Sequence, residues 1–361
     1  MRHLLFLILF SLTALIEIRA EYNLDNEGLP DVRPISMFER LSSSDVVHLT
    51  IKTDLNQLIA EKKAKKYQRA FLQLPGEDKS LQEWSVDIKA RGKFRNMMCD
   101  FPPVKIKFDH STLGPENLKA YKTLKLVTHC GDQESLAGLV QKEYLAYKLY
   151  NLITEESFEV QMVKVTWEDT EGSMEVGEQW GFIIEHEDEL ADRLGGAIYD
   201  QFGVSDDDLN YDNLIRHGLF QRMIGNEDWN LEMNKNVKLV KDHTSKDITV
   251  VPYDFDFSSI VKAPYATKPK EEKEVVQRFM NEDLINSTSF AKAKELFLSK
   301  KEDMLQLVKS TKHLARHEKS RMKKHIEAFF IDLEGGFESA PNEIRIASKA
   351  TSKSTTSTFG K

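Results

Sequence analysis

The chain has 361 residues, 40% of them hydrophobic and 30% charged, a balance that suits a globular protein with a proper core. Its formal net charge of -8 argues against a general nucleic-acid binder, whose surface would be basic. Its two cysteines, Cys99 and Cys130, exclude a disulfide-dense miniature scaffold, and neither has a CxxC partner, so zinc is not expected.

At the start, Arg2 and His3 precede an apolar run over residues 4–16, and Ala20 supplies a small residue at a cleavage point. This is a secretory signal pattern, expected to occupy residues 1–20. The run is shorter than the ~20 residues of a membrane span. No later stretch is long and apolar enough to cross a bilayer, so no stable span is expected after leader removal, and the mature chain is expected to be secreted, periplasmic or on the cell surface. The roughly 340 residues that follow suffice for two domains or one large one. Residues 21–45 form an N-terminal extension.

Val47, Leu49 and Ile51 alternate with polar residues and predict a strand over 46–53. A lysine-rich helix is expected over 55–66, then strands at 70–74 and 84–90. Val104, Ile106 and Phe108 alternate with Lys105 and Lys107 in a further strand, and 123–127 forms a short one. A long helix follows over 135–152, and strands return at 161–167 and 180–185. Beyond Glu189 helices dominate, at 209–224, 270–280, 289–310 and 317–334, with one strand pair near 237–240 and 248–253. The Ser/Thr/Lys-rich stretch 341–361 reads as a disordered tail. The fold class is α+β: a strand-rich N-lobe over 46–186 carrying one long helix, and a helix-rich C-lobe over 187–340, with a cleft expected where they meet. In an oxidising compartment Cys99 and Cys130, beside adjacent strands, are expected to form a disulfide.

Two segments carry the strongest chemical signal. Residues 223–230 read Met-Ile-Gly-Asn-Glu-Asp-Trp-Asn and lead to Asn236 and the strand beginning at Val237. Residues 250–257 read Val-Val-Pro-Tyr-Asp-Phe-Asp-Phe. Each sets carboxylates or amides beside a short apolar strand, and alternation aims Asp254 and Asp256 to one side and Phe255 to the other. Oxygen-rich groups at a strand end suit a hard cation such as Mg²⁺ or Mn²⁺. Phosphoryl transfer needs metal ions on the nucleotide phosphates, a carboxylate at the attacking hydroxyl and an amide in the metal shell. Asp228 is the expected base, Asn236 an amide ligand, Asp254 the principal metal ligand and Asp256 the holder of a second ion. The structural alternative makes Asp228 and Asn230 turn caps, with Asp254 and Asp256 on a solvated strand edge.

At these residues the chain resembles the CotH kinase family, a secreted and spore-coat branch of the protein-kinase-like fold. The likeness runs from about Trp84 to Ala266. It rests on Ile-Lys-Ala-Arg-Gly-Lys-Phe-Arg at 88–95, Pro-Val-Lys-Ile-Lys-Phe at 103–108, Gly-Asn-Glu-Asp-Trp at 225–229, Asn236 and Tyr-Asp-Phe-Asp at 253–256. The resemblance implies a bilobal kinase-like fold, ATP with a divalent metal, and transfer to Ser, Thr or Tyr hydroxyls of a protein substrate. Ordinary kinases place the amide ligand five positions after the catalytic Asp. Here that position is Met233, which makes Asn230 and Asn234 rivals of Asn236. No GxGxxG is present, and Arg91-Gly92 with Arg95 stands in for it at the phosphates.

Kinases also pair a strand lysine with a helix glutamate. Glu143 lies inside the apolar stripe of the long helix, formed by Leu136, Leu139, Val140, Ala146, Tyr147 and Tyr150, and a carboxylate there needs a cation. Lys107 is the first candidate, with Lys105 beside it and Lys125 in reserve. By resemblance Glu185 and His186 mark the hinge where backbone groups meet adenine, with Phe182 and Ile184 as walls. Three functions compete: an active secreted kinase, a catalytically silent kinase-like binding module in surface or coat assembly, and a metal-dependent phosphoesterase. A glycosylation sequon begins at Asn286.

Overall fold

The computed structural model describes residues 34–42, 44–76, 80–119, 121–266 and 287–337. The leader at 1–20, most of the extension, the helix expected at 270–280, Asn286 and the tail at 341–361 lie outside them.

Seven strands form the N-terminal body: β1 (Val47–Thr53), β2 (Gln68–Pro75), β3 (Leu81–Ala90), β4 (Val104–Phe108), β5 (Thr123–Val127), β6 (Val160–Asp169) and β7 (Glu175–Ile184). They close into a barrel in the order β1-β2-β3-β4-β5-β7-β6. The seam is a parallel pairing of β1 with β6, from Val47 opposite Val163 to Thr53 opposite Asp169. Alternation explains the filling: Leu49, Ile51, Leu72, Leu74, Val86, Ile88, Ile106 and Phe108 are all buried in one cluster. Each such side chain contributes roughly 1.5–3 kcal/mol by leaving water. Because Val104, Ile106 and Phe108 are the buried members of β4, Lys105 and Lys107 lie on the opposite, outer face.

Short helices α1 (Met37–Leu41), α2 (Leu55–Ala60), α3 (Phe94–Met98) and α4 (His110–Leu113) decorate the barrel. Helix α2 ends at Ala60, well short of residue 66. The lysines that follow have nothing apolar to bury, so turns replace the helix there. The long helix α5 spans Leu139–Asn151 and starts later than expected. Gly138 precedes it in a left-handed conformation (φ 73°), which breaks the run from the turn at Glu134–Leu136. A Cβ on Gly138 would also lie 3.0 Å from Leu314 Cδ1.

After β7 the chain enters α6 (Glu187–Arg193), β8 (Gly196–Ile198), α7 (Tyr211–Ile224), β9 (Val237–Asp242), β10 (Ile248–Pro252), α8 (Thr288–Ser310) and α9 (Arg316–Glu334). The three strands form a small sheet, β10-β9-β8. A second core joins α5 to this part through Tyr147, Tyr150, Phe220, Phe255, Phe297 and Phe330. Helix α5 therefore belongs to both bodies, which places it at their junction. Among the described residues, no helix is long and apolar enough to cross a membrane.

Candidate active site

A cleft of about 730 Å³ is lined by Arg91, Arg95, Glu143, Tyr147, Asp228, Asn236, Asp254 and Asp256, along with Val127, Ile184 and Tyr265. Two loops of the helical part and one loop of the barrel build it.

The first loop follows α7. Gly225 ends that helix in a left-handed conformation (φ 61°), and a Cβ there would approach Ser259 Cβ to 2.8 Å. Buried Asn226 then organises the turn: its amide donates to Gln221 Oε1 at 2.9 Å, and its Oδ1 accepts from Asp228 N at 3.1 Å. Trp229 is buried against His217, edge to face at 4.5 Å, and burial pushes the His217 imidazole down to about 3. Asp228 thus emerges from a fixed turn. Asn236 Nδ2 donates to the Asp228 backbone oxygen at 2.6 Å and to its Oδ2 at 2.9 Å, while Lys235 pairs with Oδ1. Asn230 instead caps the turn at Met233 N, and Asn234 donates to Gln201 O. Of the three candidate amides, only Asn236 is hydrogen-bonded to Asp228.

The second loop follows β10. The strand stops at Pro252, so the triplet Asp254-Phe255-Asp256 is a loop rather than the strand continuation expected. Asp254 has φ 65°, a left-handed backbone that ends alternation. Phe255 nevertheless turns inward against Tyr147 and Phe220, leaving both carboxylates in the cleft. The loops are tied together where Tyr253 N donates to Asn236 O at 3.0 Å. Asp254 N donates to Tyr147 Oη on α5 at 2.8 Å.

The barrel contributes Arg91 and, on α3, Arg95. Arg95 Nη1 lies 3.0 Å from Glu143 Oε2, and Nη2 donates to Thr128 O at 2.8 Å. Both side chains are buried, at 6% and 2% exposure. The cation that serves Glu143 is therefore Arg95, and not Lys107, Lys105 or Lys125. Lys107 is exposed beside the Tyr67 ring, at 5.3 Å from its centroid. Lys105 stands in register between Lys89 and Lys125 on the outer face. Lys125 pairs with Glu187 at 3.1 Å. The expected Cys99–Cys130 disulfide is present, and it clamps the end of α3 to the chain beyond β5. Cys99 lies four residues after Arg95 and donates its N–H to Arg95 O, a spacing that marks Arg95 as part of a tethered turn.

Glu185 is not in this cleft. It is buried behind it, bonded through both oxygens to Arg193 at 2.9 Å, and it lines a second cavity of about 910 Å³. Its neighbour Ile184 does reach the cleft.

Burial and mutual repulsion act together on the carboxylates of the cleft. Burial raises Glu143 to about 8; Arg95 opposes this, while Asp256 and Asp254 add to it. Burial likewise raises Asp256 to about 7, with Asp254 adding repulsion and Arg95 and a 3.0 Å hydrogen bond from Tyr265 Oη opposing it. Asp254 opens to solvent on one side, yet the protein around it raises its pKa against the pull of Arg91 and Arg95. Burial also works against the charge on Arg95, but Tyr265, Glu143, Asp256 and Asp254 outweigh it and hold the guanidinium charged. The two partners thus respond oppositely because several carboxylates share one guanidinium.

Among the described residues, no group of three or more His, Cys, Asp or Glu side chains is placed to cage a metal ion by itself. Asp254 and Asn236 line the same cleft, a carboxylate and an amide whose nitrogen is committed to Asp228. Mg²⁺ is commonly held in this way, by one or two carboxylates with phosphate oxygens and water completing the shell. The residues present fit such an ion.

No family model matches the chain, so the CotH resemblance stands on its motif residues. No curated protein matches it either. Among solved structures, the chain is similar to the Helicobacter pylori proinflammatory kinase CtkA, at 8% identity and a TM-score of 0.35 over 64% of this chain and 92% of that one. It is also similar to the Golgi casein kinase. A structure with Mn/ADP bound gives 9% identity and a TM-score of 0.37 over 84% of this chain and 75% of that one. A second structure gives 8% identity and a TM-score of 0.37 over 85% and 75%.

Proposed function

We propose that this chain is an exported, CotH-like phosphotransferase that moves the γ-phosphoryl group of ATP to a protein hydroxyl with Mg²⁺ or Mn²⁺. The observation that carries this reading is the meeting of Asp228, Asn236, Asp254 and Asp256 in one cleft with the buried Arg95–Glu143 pair. Asp254 and the Asn236 amide oxygen would hold the ion, and Asp256 would supply a second carboxylate. A bound divalent ion would neutralise phosphate charge. Asp228 orients the acceptor hydroxyl and takes up its proton, and the Asn236 amide keeps its carboxylate in place. Lys235, against Asp228, puts positive charge where the transferred group passes. Arg91 and Arg95 flank the phosphates, and Glu143 fixes Arg95. The disulfide favours an oxidising compartment and so supports export.

Asp228→Asn and Asp254→Asn test the assignment. Both are nearly isosteric. Asp254→Asn is expected to weaken metal-dependent nucleotide binding and transfer together. Asp228→Asn is expected to keep nucleotide affinity and lower transfer at least about a hundredfold. Nucleotide affinity with Mg²⁺ or Mn²⁺, alongside radiolabel transfer to protein, reads both. Wild type that neither binds nucleotide nor transfers phosphate with either metal would leave the silent-module reading in its place. Release of phosphate without transfer would favour a phosphoesterase.

A further inference from the structure

Tyr147 Oη accepts a hydrogen bond from Asp254 N at 2.8 Å, and this contact ties helix α5 to the loop that presents Asp254. Asp254 is a non-glycine residue held at φ 65°. A left-handed backbone costs such a residue about 1–2 kcal/mol, and it persists only where its surroundings fix it. Once the chain leaves β10 at Pro252, the Asp254 N–H has no strand partner, and the tyrosine hydroxyl takes that place.

The hydroxyl is itself rigidly placed. Tyr147 is 1% exposed, and its ring lies 5.6 Å from Phe182 of β7 and 4.6 Å from Phe255 of the same loop. Glu143, which pairs with Arg95, stands one turn earlier on the same helix. One helix therefore sets both the guanidinium of the barrel and the backbone of Asp254. Burial first, then the Glu143 and Asp254 carboxylates, push the Tyr147 phenol well above its ordinary value, so the hydroxyl stays neutral.

We propose that Tyr147 is a positioning residue: its hydroxyl holds Asp254 in the left-handed backbone that presents its carboxylate to a divalent cation. The cation belongs to the functional reading above, whereas the backbone lock does not depend on it.

Tyr147→Phe removes the acceptor and keeps the ring. Tyr150→Phe is the control, since Tyr150 is equally buried on the same helix and its hydroxyl has no hydrogen-bond partner among the described residues. Amide hydrogen exchange in the metal-free protein reads the lock directly. The Asp254 N–H is expected to lose protection in Tyr147→Phe and to keep it in Tyr150→Phe. Mn²⁺ titration by electron paramagnetic resonance, at fixed ATP, reads the consequence. The Mn²⁺ concentration for half-saturation is expected to rise roughly five- to tenfold in Tyr147→Phe alone, as for loss of one hydrogen bond. Equal exchange at Asp254 in wild type and Tyr147→Phe overturns the proposal, as does an equal Mn²⁺ shift in both variants. Wild type that protects the Asp254 amide but binds no Mn²⁺–ATP overturns the functional reading and the cation half of this proposal, and leaves the lock standing.

Discussion

Two arginine–glutamate pairs, each with a buried glutamate, differ in how completely they are matched. Behind the cleft, Glu185 is 2% exposed and meets Arg193 through both oxygens, and its Oε2 also accepts from Glu159 N at 3.0 Å. Arg193 spends two further donors on Glu155 O and Ser157 O. In the cleft, Glu143 meets Arg95 through a single contact, Arg95 Nε has no partner among the described residues, and Asp254 and Asp256 act on the same guanidinium. A pair whose charges and hydrogen bonds are matched acts as scaffold. The cleft pair leaves more of its hydrogen-bonding capacity unused, and that difference separates the two pairs.

Removing the cation from the unmatched pair gives the largest expected effect. Arg95→Ala leaves Glu143 buried among other carboxylates and is expected to cost roughly 3–5 kcal/mol. Denaturant unfolding measures the loss, and Arg95→Met with Glu143→Met should recover most of it while transfer stays lost. Full transfer by that double variant would remove the pair from the site. The disulfide sharpens the contrast, because it tethers the helix of Arg95 and touches nothing at Arg193. Cys99→Ser with Cys130→Ser is expected to cost about 3–4 kcal/mol through the freed loop and to weaken nucleotide binding. Binding that survives undiminished in the thiol-free variant would mean α3 is held without the bridge. Arg193→Ala should be milder, about 1–3 kcal/mol, since the side chain is 32% exposed and water can reach the gap. Nucleotide affinity measured on it should not change; a tenfold loss would make the rear pair part of the site.

The smallest effect is a pH dependence. Glu143 and Asp256 have folded-state pKa values raised to about 8 and about 7, so the folded state holds their protons more tightly than the unfolded chain does. That stabilisation is complete below the ordinary carboxylate range and is lost as pH rises through 7 to 8. Stability is expected to fall between pH 6 and 9, with Asp256→Asn flattening the slope and a divalent ion with nucleotide doing the same for wild type. Glu189, raised to about 7 mainly by burial, adds a slope of its own, and Asp256→Asn leaves that part in place. A slope unchanged by Asp256→Asn would assign the effect to Glu143 and Glu189.

The acidic half of the site was legible in the sequence because Asp228, Asn236, Asp254 and Asp256 lie beside short apolar strands and their order is a local pattern. The basic half was not. Lys105 and Lys107 alternate with Val104, Ile106 and Phe108, and in an open sheet either face might meet the helix. Closure of the barrel fills the inside with the apolar set and turns the lysines outward. Arg95 was read only as a phosphate contact, since its pairing with Glu143 depends on a short helix and a bridge to Cys130. The closure itself rests on β1 meeting β6, strands far apart in sequence, and no local periodicity records that pairing. Glu185 was expected beside adenine, but strand alternation does not say which cavity a side chain at the end of β7 faces, and Glu185 lines the second one.

The parallel seam between β1 and β6 has a mechanical consequence. An open sheet can flatten, coil or gain a strand at its edge, whereas a closed ring has no edge and little freedom to twist. The roof over the cleft is then a stiff hoop. Widening or narrowing of the gap becomes a swing of the whole hoop against the helical base, and a change at the seam, far from any phosphate, would be felt as a change in where the roof comes to rest.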